Sequence, residues 1–207
     1  MIAIRIPRRN SLELVDAELH NDLSVDDLLL AERSWTVERA AIMAQLRRHA
    51  VPTSEWPESL HWNWSAKAAE LLLISATQHG VFCEGRWQAL MMTKTVPSTA
   101  RLPPDTGKPI VYVDFVETAP WNWRVSAISQ DRAFLALGAT MIRAAVFQSR
   151  KEGFRGRVGL HSLRQSELFY TSIGMNRVGV DSNKQRLAYF EFTRENAERF
   201  LTKRKSL

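Results

Sequence analysis

Residues 110–116, IVYVDFV, and residues 158–175, VGLHSLRQSELFYTSIGM, frame the stretch that decides the fold of this chain. The first is an apolar run broken only by Asp114, as expected of a central strand covered on both faces. The second reads as a short strand, Val158 to Leu163, then a helix that carries Leu168, Phe169 and Tyr170 and stops at Gly174. Ser162-Leu163-Arg164-Gln165 has the spacing of a capping box for that helix. Between the two, the chain from Arg132 or Ala133 to Glu152 favours a helix, with Phe134, Leu137, Met141, Ala144, Ala145 and Gln148 on one side and Gly153 as its C-cap. Ala119-Pro120-Trp121-Asn122 and an irregular stretch to about Asp131 lead into it.

Outward from that centre, Gly80 to Thr95 reads as a hairpin turning at Glu84-Gly85. Pro97 to Pro109 is a loop rich in breakers. Met1 to Ile6 suits an edge strand stopped at Pro7. Ser24 is placed as an N-cap, with Asp26 and Asp27 in the first turn of a helix. A second start at Ser34 or Thr36 leads to a further helix, Val37 to His49, in which Arg39, Arg47 and Arg48 face out. Trp56, Trp62 and Trp64 lie in a polar loop with two prolines, where they either pin the loop to the core or line a pocket. Ser65 is placed to cap a helix through Ala69. The apolar run Leu71 to Ile74 fits a strand or a helix end equally.

At 207 residues, 45% hydrophobic and 24% charged, the chain is large enough for one domain with a sizeable core and is not of disordered composition. No apolar run approaches the roughly 20 residues that span a bilayer. The basic start, Met1 to Arg9, lacks the apolar core of a signal peptide, and Cys83 stands alone, so a cytoplasmic location is expected. The net charge of +6 favours an anionic ligand or partner. The histidines show no ligand spacing and no Gly-x-Ser-x-Gly occurs, so neither metal nor nucleophile-triad chemistry is expected.

Strand, glycine-bearing helix, strand, tyrosine-bearing helix and two final strands: in this order the chain resembles the GCN5-related N-acetyltransferase (GNAT) family over about residues 80–192. Leu137-Gly138-Ala139, Ser166 to Tyr170 and Ile173-Gly174-Met175 are the local words that match. The resemblance implies an α/β (α+β) fold, a mixed, mostly antiparallel central sheet flanked by helices. One domain, 1–207, would hold a helical extension and loop (about 1–64), an acyltransferase core (about 65–193), and a C-terminal helix with a basic tail (194–207).

The resemblance further implies direct transfer of an acetyl group from acetyl-CoA, as acyl donor and with no metal, to an amine acceptor that the sequence does not name. Tyr170 matches the family's general acid. Glu117 and Asp114 are base candidates, with Glu117 preferred because it lies near the strand's C-terminal end, and His161 could assist a proton relay. The backbone from Val116 to Thr118 would pair with the pantetheine arm. The helix start, Leu137, Gly138, Ala139 and Thr140, would take the pyrophosphate on free N–H groups and the positive end of the helix dipole, with Arg132 nearby. The family's loop pattern puts glycine where Ala136 stands and a basic residue where Ala133 stands, with Arg132 one residue early.

Three readings therefore stand: an active N-acetyltransferase, an acyl-CoA- or protein-binding module without catalysis, and an RNA-directed acetyltransferase or binder. The last rests on the net charge and on Arg143, Arg150, Lys151, Arg155 and Arg157. Nucleic acid is not the favoured partner, no membrane partner is expected, and a homodimer is left open.

Overall fold

A computed structural model describes residues 1–68 and 76–202. The run Leu71 to Ile74 and the basic tail lie outside the described residues, as does Ala69. The chain divides into two compact units, Met1–Met91 with Val116–Met141, and Met92–Phe115 with Ile142–Leu207.

The first unit contains strands β1 (Ile2–Pro7), β2 (Leu14–His20) and β3 (Ala76–Cys83), most of β4 (Arg86–Lys94) and the end of β5 (Val111–Thr118). Strands β1, β2 and β3 are joined by antiparallel pairing, and β1 lies at the edge as its sequence suggests. The Glu84-Gly85 turn between β3 and β4 has positive φ at both residues, 52° and 75°, which fits the tight hairpin expected there. Strand β2 is an element to which sequence reasoning assigned nothing. Cys83 is buried with its thiol toward the Asp16 carbonyl, and burial raises its pKa first of all, as befits an inert core residue.

Helix α1 (Val25–Arg48) is one continuous helix, not the two expected. Ser24 caps it in a full capping box with Asp27. Ser34, the supposed second start, spends its hydroxyl on the Ala31 carbonyl inside the helix. Leu28, Trp35, Ile42 and Leu46 share one buried stripe, and Glu32 and Arg39 fall on that same stripe at helical spacing. Arg39 is therefore buried, not outward-facing. The short helix α2 (Trp64–Ala68) is started by Asn63, whose side chain accepts the Ala66 N–H at 2.9 Å, so Ser65 is not its cap. Trp35 and Trp64 are fully buried and meet edge to face at 6.3 Å. A buried ring of this size contributes roughly 4 to 6 kcal/mol at about 25 cal/mol per Å² of apolar surface, before conformational entropy is subtracted.

The second unit contains the end of β4, the start of β5, most of helix α3 (Leu137–Lys151), β6 (Val158–Ser162), helix α4 (Glu167–Ser172), β7 (Asn176–Asp181), β8 (Leu187–Phe192) and helix α5 (Arg194–Thr202). Its strand order is β5-β6-β8-β7, parallel between β5 and β6 and antiparallel in the other two pairs. The parallel pairing covers only Val111 to Val113 against Val158 to Leu160, while both strands run further. Phe190 and Phe192 of β8 are fully buried, the first beside Tyr170 and the second stacked on Phe200 of α5 at 5.2 Å. The mixed, mostly antiparallel sheet with helices is the fold class expected from the sequence.

Helix α3 begins at Leu137, later than the expected start at Arg132 or Ala133. The residues ahead of it are engaged elsewhere: the Ala133 N–H bonds the Trp121 carbonyl, Phe134 N–H the Asn122 side chain, and Leu135 N–H the Pro7 carbonyl. Ala136 then has φ +64°, which no α-helix accommodates. The capping box expected at Ser162 does not form either. The Ser162 hydroxyl bonds the Leu163 carbonyl, a 3-10 turn follows at Arg164–Ser166, and α4 starts at Glu167.

Candidate functional site

Glu117 is the last acidic residue of β5 and is buried, its side chain 2% exposed. Its Oε2 accepts the Trp64 indole N–H at 2.7 Å and an Arg39 N–H at 3.2 Å. Its Oε1 has no hydrogen bond of good geometry among the described residues, although the Ser59 hydroxyl is close enough to favour the charged form. Arg39 also donates to Glu32 Oε1 at 2.8 Å, and its guanidinium lies over the Trp35 ring. Glu32 Oε1 accepts the Thr36 hydroxyl as well, at 2.6 Å, and Oε2 accepts the Trp64 backbone N–H at 2.8 Å. Burial in this apolar setting pushes the Glu117 carboxyl up to about 7, against the opposing pull of Arg39 and Trp64. At neutral pH such a group both takes and returns a proton.

In the same unit, Thr118 spends its carbonyl on the Trp123 indole at 2.9 Å. The Thr140 N–H is spent on the Ala136 carbonyl at 2.9 Å, and its hydroxyl reaches the same oxygen. The N–H groups of Leu137, Gly138 and Ala139 ahead of it make no hydrogen bond among the described residues, which leaves the first turn of α3 with the free donors and positive dipole end that suit an anion. Gly138 and Ala139 are half-buried. Arg132 is exposed, and its guanidinium forms no ion pair among the described residues.

In the second unit, Tyr170 is buried against Phe169 and Phe190, with ring centroids 5.1 and 5.7 Å away. Its hydroxyl has no hydrogen-bond partner among the described residues, and burial raises its pKa well above the ordinary tyrosine value, so it stays protonated. Asp114, the other carboxylate considered as a base, is held in an ion pair with Lys94 at 2.6 Å. His161 lies between Tyr112, whose hydroxyl meets its Nδ1 at 2.7 Å, and Asp181, 3.3 Å from its Nε2. Burial lowers the His161 pKa and raises that of Tyr112 to about 12, so a neutral imidazole accepts from the phenol.

Solved structures share this arrangement of strands and helices. Aminoglycoside acetyltransferase AAC(6')-Ib in complex with coenzyme A and kanamycin superposes with a TM-score of 0.54 at 16% identity, covering 88% of this chain and 98% of that one. A GNAT-family acetyltransferase from Listeria monocytogenes 4b F2365 gives 0.53 at 13% identity, with 91% and 99% covered. An N-acetyltransferase from Staphylococcus aureus Mu50 gives 0.52 at 8% identity, with 86% and 98% covered. The chain has the GNAT fold. Neither a family model nor a curated protein matches the sequence.

The GNAT fold makes sense of Ala136. The family's loop pattern has glycine there, and the backbone at Ala136 is left-handed, a conformation that costs a residue with a Cβ about 1–2 kcal/mol. The loop thus keeps the glycine-like turn with alanine in it. Of the residues singled out from the sequence, Leu137, Gly138, Ala139 and Thr140 fall on one helical turn, while Val116, Glu117 and Thr118 follow one another at the end of β5. Glu32 and Arg39 were missed as site residues, while Trp64, read as either a core pin or a pocket lining, is a buried partner of Glu117. Two charges on the apolar stripe of α1 were the available signal.

Proposed function

We propose that the protein is an N-acetyltransferase that moves an acetyl group from acetyl-CoA directly to an amine. The observation that carries the reading is Glu117: a buried carboxyl at the end of a central strand of the GNAT fold, with one oxygen lacking a hydrogen bond of good geometry among the described residues and a pKa near neutrality. In this reading Glu117 takes the proton that the attacking ammonium must lose, and Tyr170, kept protonated by burial, gives one to the departing thiolate. The N–H groups of Leu137, Gly138 and Ala139 would hold the pyrophosphate, with Thr140 closing the turn behind them. Arg132 would add a cation, and the backbone from Val116 to Thr118 would pair with the pantetheine arm. Acetyl-CoA supplies the acyl thioester.

Calorimetry with acetyl-CoA, followed by thiol release on a panel of primary amines that includes aminoglycosides, polyamines and amino acids, tests the proposal. Binding at micromolar to low millimolar concentration and amine-dependent thiol release are expected. Binding without release on any amine would favour a non-catalytic acyl-CoA module, and no binding would remove acetyl-CoA from the account.

A further inference from the structure

Three charged side chains in the first unit are buried together: Glu32, Arg39 and Glu117, with 7%, 5% and 2% of their side chains exposed. Two carboxylates face one guanidinium, so the fully ionised group carries a net negative charge in an apolar setting lined by Trp35 and Trp64. Burial opposes that uncompensated charge strongly. One added proton makes the group neutral.

The hydrogen bonds decide where that proton goes. Glu32 receives three donors over its two oxygens: Arg39 Nη1 and the Thr36 hydroxyl on Oε1, and the Trp64 backbone N–H on Oε2. Both oxygens of Glu32 are thus occupied by donors. Glu117 accepts the hydrogen bonds of Arg39 and Trp64 on Oε2, while Oε1 makes no hydrogen bond of good geometry among the described residues. We propose that Glu32, Arg39 and Glu117 form one proton-sharing unit with room for a single added proton, which enters at Oε1 of Glu117. Arg39 and Glu32 are positioning residues for the base of the acetyl transfer proposed above, and the inference rests on that reading for its catalytic use. Helix α1 then does more than cover the sheet, because it supplies both residues that set the proton affinity of Glu117. Among the described residues, Arg39 and Glu32 of α1 are the charged groups acting on Glu117; Trp64 of α2 and Ser59 of the turn before it contribute neutral donors.

The two positioning residues act in opposite directions, which makes the unit testable without an acceptor amine. Carboxyl-carbon NMR of the full chain labelled with 13C-glutamate follows the Glu117 titration, identified by its loss in Glu117→Gln. Wild type should titrate near neutrality. Arg39→Met should move the midpoint up by about 1 to 3 pH units, the usual effect of an opposite charge within reach. Glu32→Gln should move it down, since Arg39 is then left wholly to Glu117, and Arg39→Lys should restore most of the wild-type value. If Arg39→Met does not fold, the double variant Glu32→Gln/Arg39→Met, which removes both charges, should still titrate above wild type. A Glu117 midpoint that ignores Arg39 and Glu32, or that moves the same way in both, overturns the proposal. Because the readout needs no turnover, a missing acetyltransferase activity and a missing proton-sharing unit are told apart.

Discussion

The Trp64 indole N–H points at Oε2 of Glu117 at 2.7 Å, and the other oxygen of that carboxyl has no hydrogen bond of good geometry among the described residues. A side chain so lopsidedly held is a poor structural anchor and a good proton acceptor. It also destabilises the fold under the conditions in which it would work. Below pH about 4.5 the carboxyl is protonated in the folded and unfolded chain alike and makes no difference to stability. Between 4.5 and about 7 the unfolded chain loses the proton while the folded one keeps it, so stability falls as pH rises. Above about 7 the whole penalty is present, on the order of 3 kcal/mol at about 1.4 kcal/mol per pH unit. Glu117→Gln should therefore gain stability relative to wild type between pH 5 and pH 8.5, measured by urea unfolding at each pH. A difference between the two proteins that does not change with pH would mean that Glu117 titrates normally.

Ala136 permits a pair of substitutions with opposite signs. Glycine relieves the left-handed strain of about 1–2 kcal/mol but adds disorder to the unfolded chain, so Ala136→Gly should stabilise by up to about 1 kcal/mol. Ala136→Val, branched at Cβ with φ held at +64°, should cost about 1–3 kcal/mol. Thermal melts read both. Should the valine variant melt with wild type, the loop before α3 does not hold the left-handed turn.

The order of elements was legible because Ile110 to Val116 is apolar on both faces and because Gly153 and Gly174 end their helices in left-handed turns, at φ +77° and +95°. What was not legible has a common physical cause. Helix α1 reads as two helices because Ser34 and Thr36 look like caps, whereas both hydroxyls are spent within the one helix, and Arg39 stays on the buried stripe because it has two carboxylate partners there. Likewise α3 looks longer in sequence than it is, because Phe134 has helical spacing with Leu137 and Met141, but its N–H bonds the Asn122 side chain and the Leu135 N–H bonds the distant Pro7 carbonyl. Local pattern carries the elements, and long-range hydrogen bonds decide their ends and the site's charges.

His161 should impose a stability change of its own. Burial lowers its pKa in the folded protein below the ordinary value of 6.5. As pH drops below about 6.5, the unfolded chain takes up a proton that the folded chain refuses, so stability held at higher pH is lost. His161→Gln keeps an acceptor for Tyr112 and a donor for Asp181 but has nothing to titrate. The variant should therefore lose less stability than wild type between pH 7.5 and 5.5, as read from unfolding midpoints. Parallel curves for the two proteins would show that the imidazole protonates as readily folded as unfolded.

Tyr170 is the residue for which stability and turnover should separate most clearly. Its ring packs between Phe169 and Phe190, while its hydroxyl bonds to nothing among the described residues. Tyr170→Phe keeps the ring and removes only an oxygen without a partner, so unfolding free energy should change little or rise slightly, since no buried donor or acceptor is orphaned. A purely structural tyrosine would show no more than that. If the phenol protonates the departing thiolate, thiol release with an acceptor from the amine panel should drop by about 10²- to 10⁴-fold, while calorimetric affinity for acetyl-CoA holds. Unchanged turnover in a folded, acetyl-CoA-binding variant would take Tyr170 off the proton path and leave the thiolate to a water or a backbone donor.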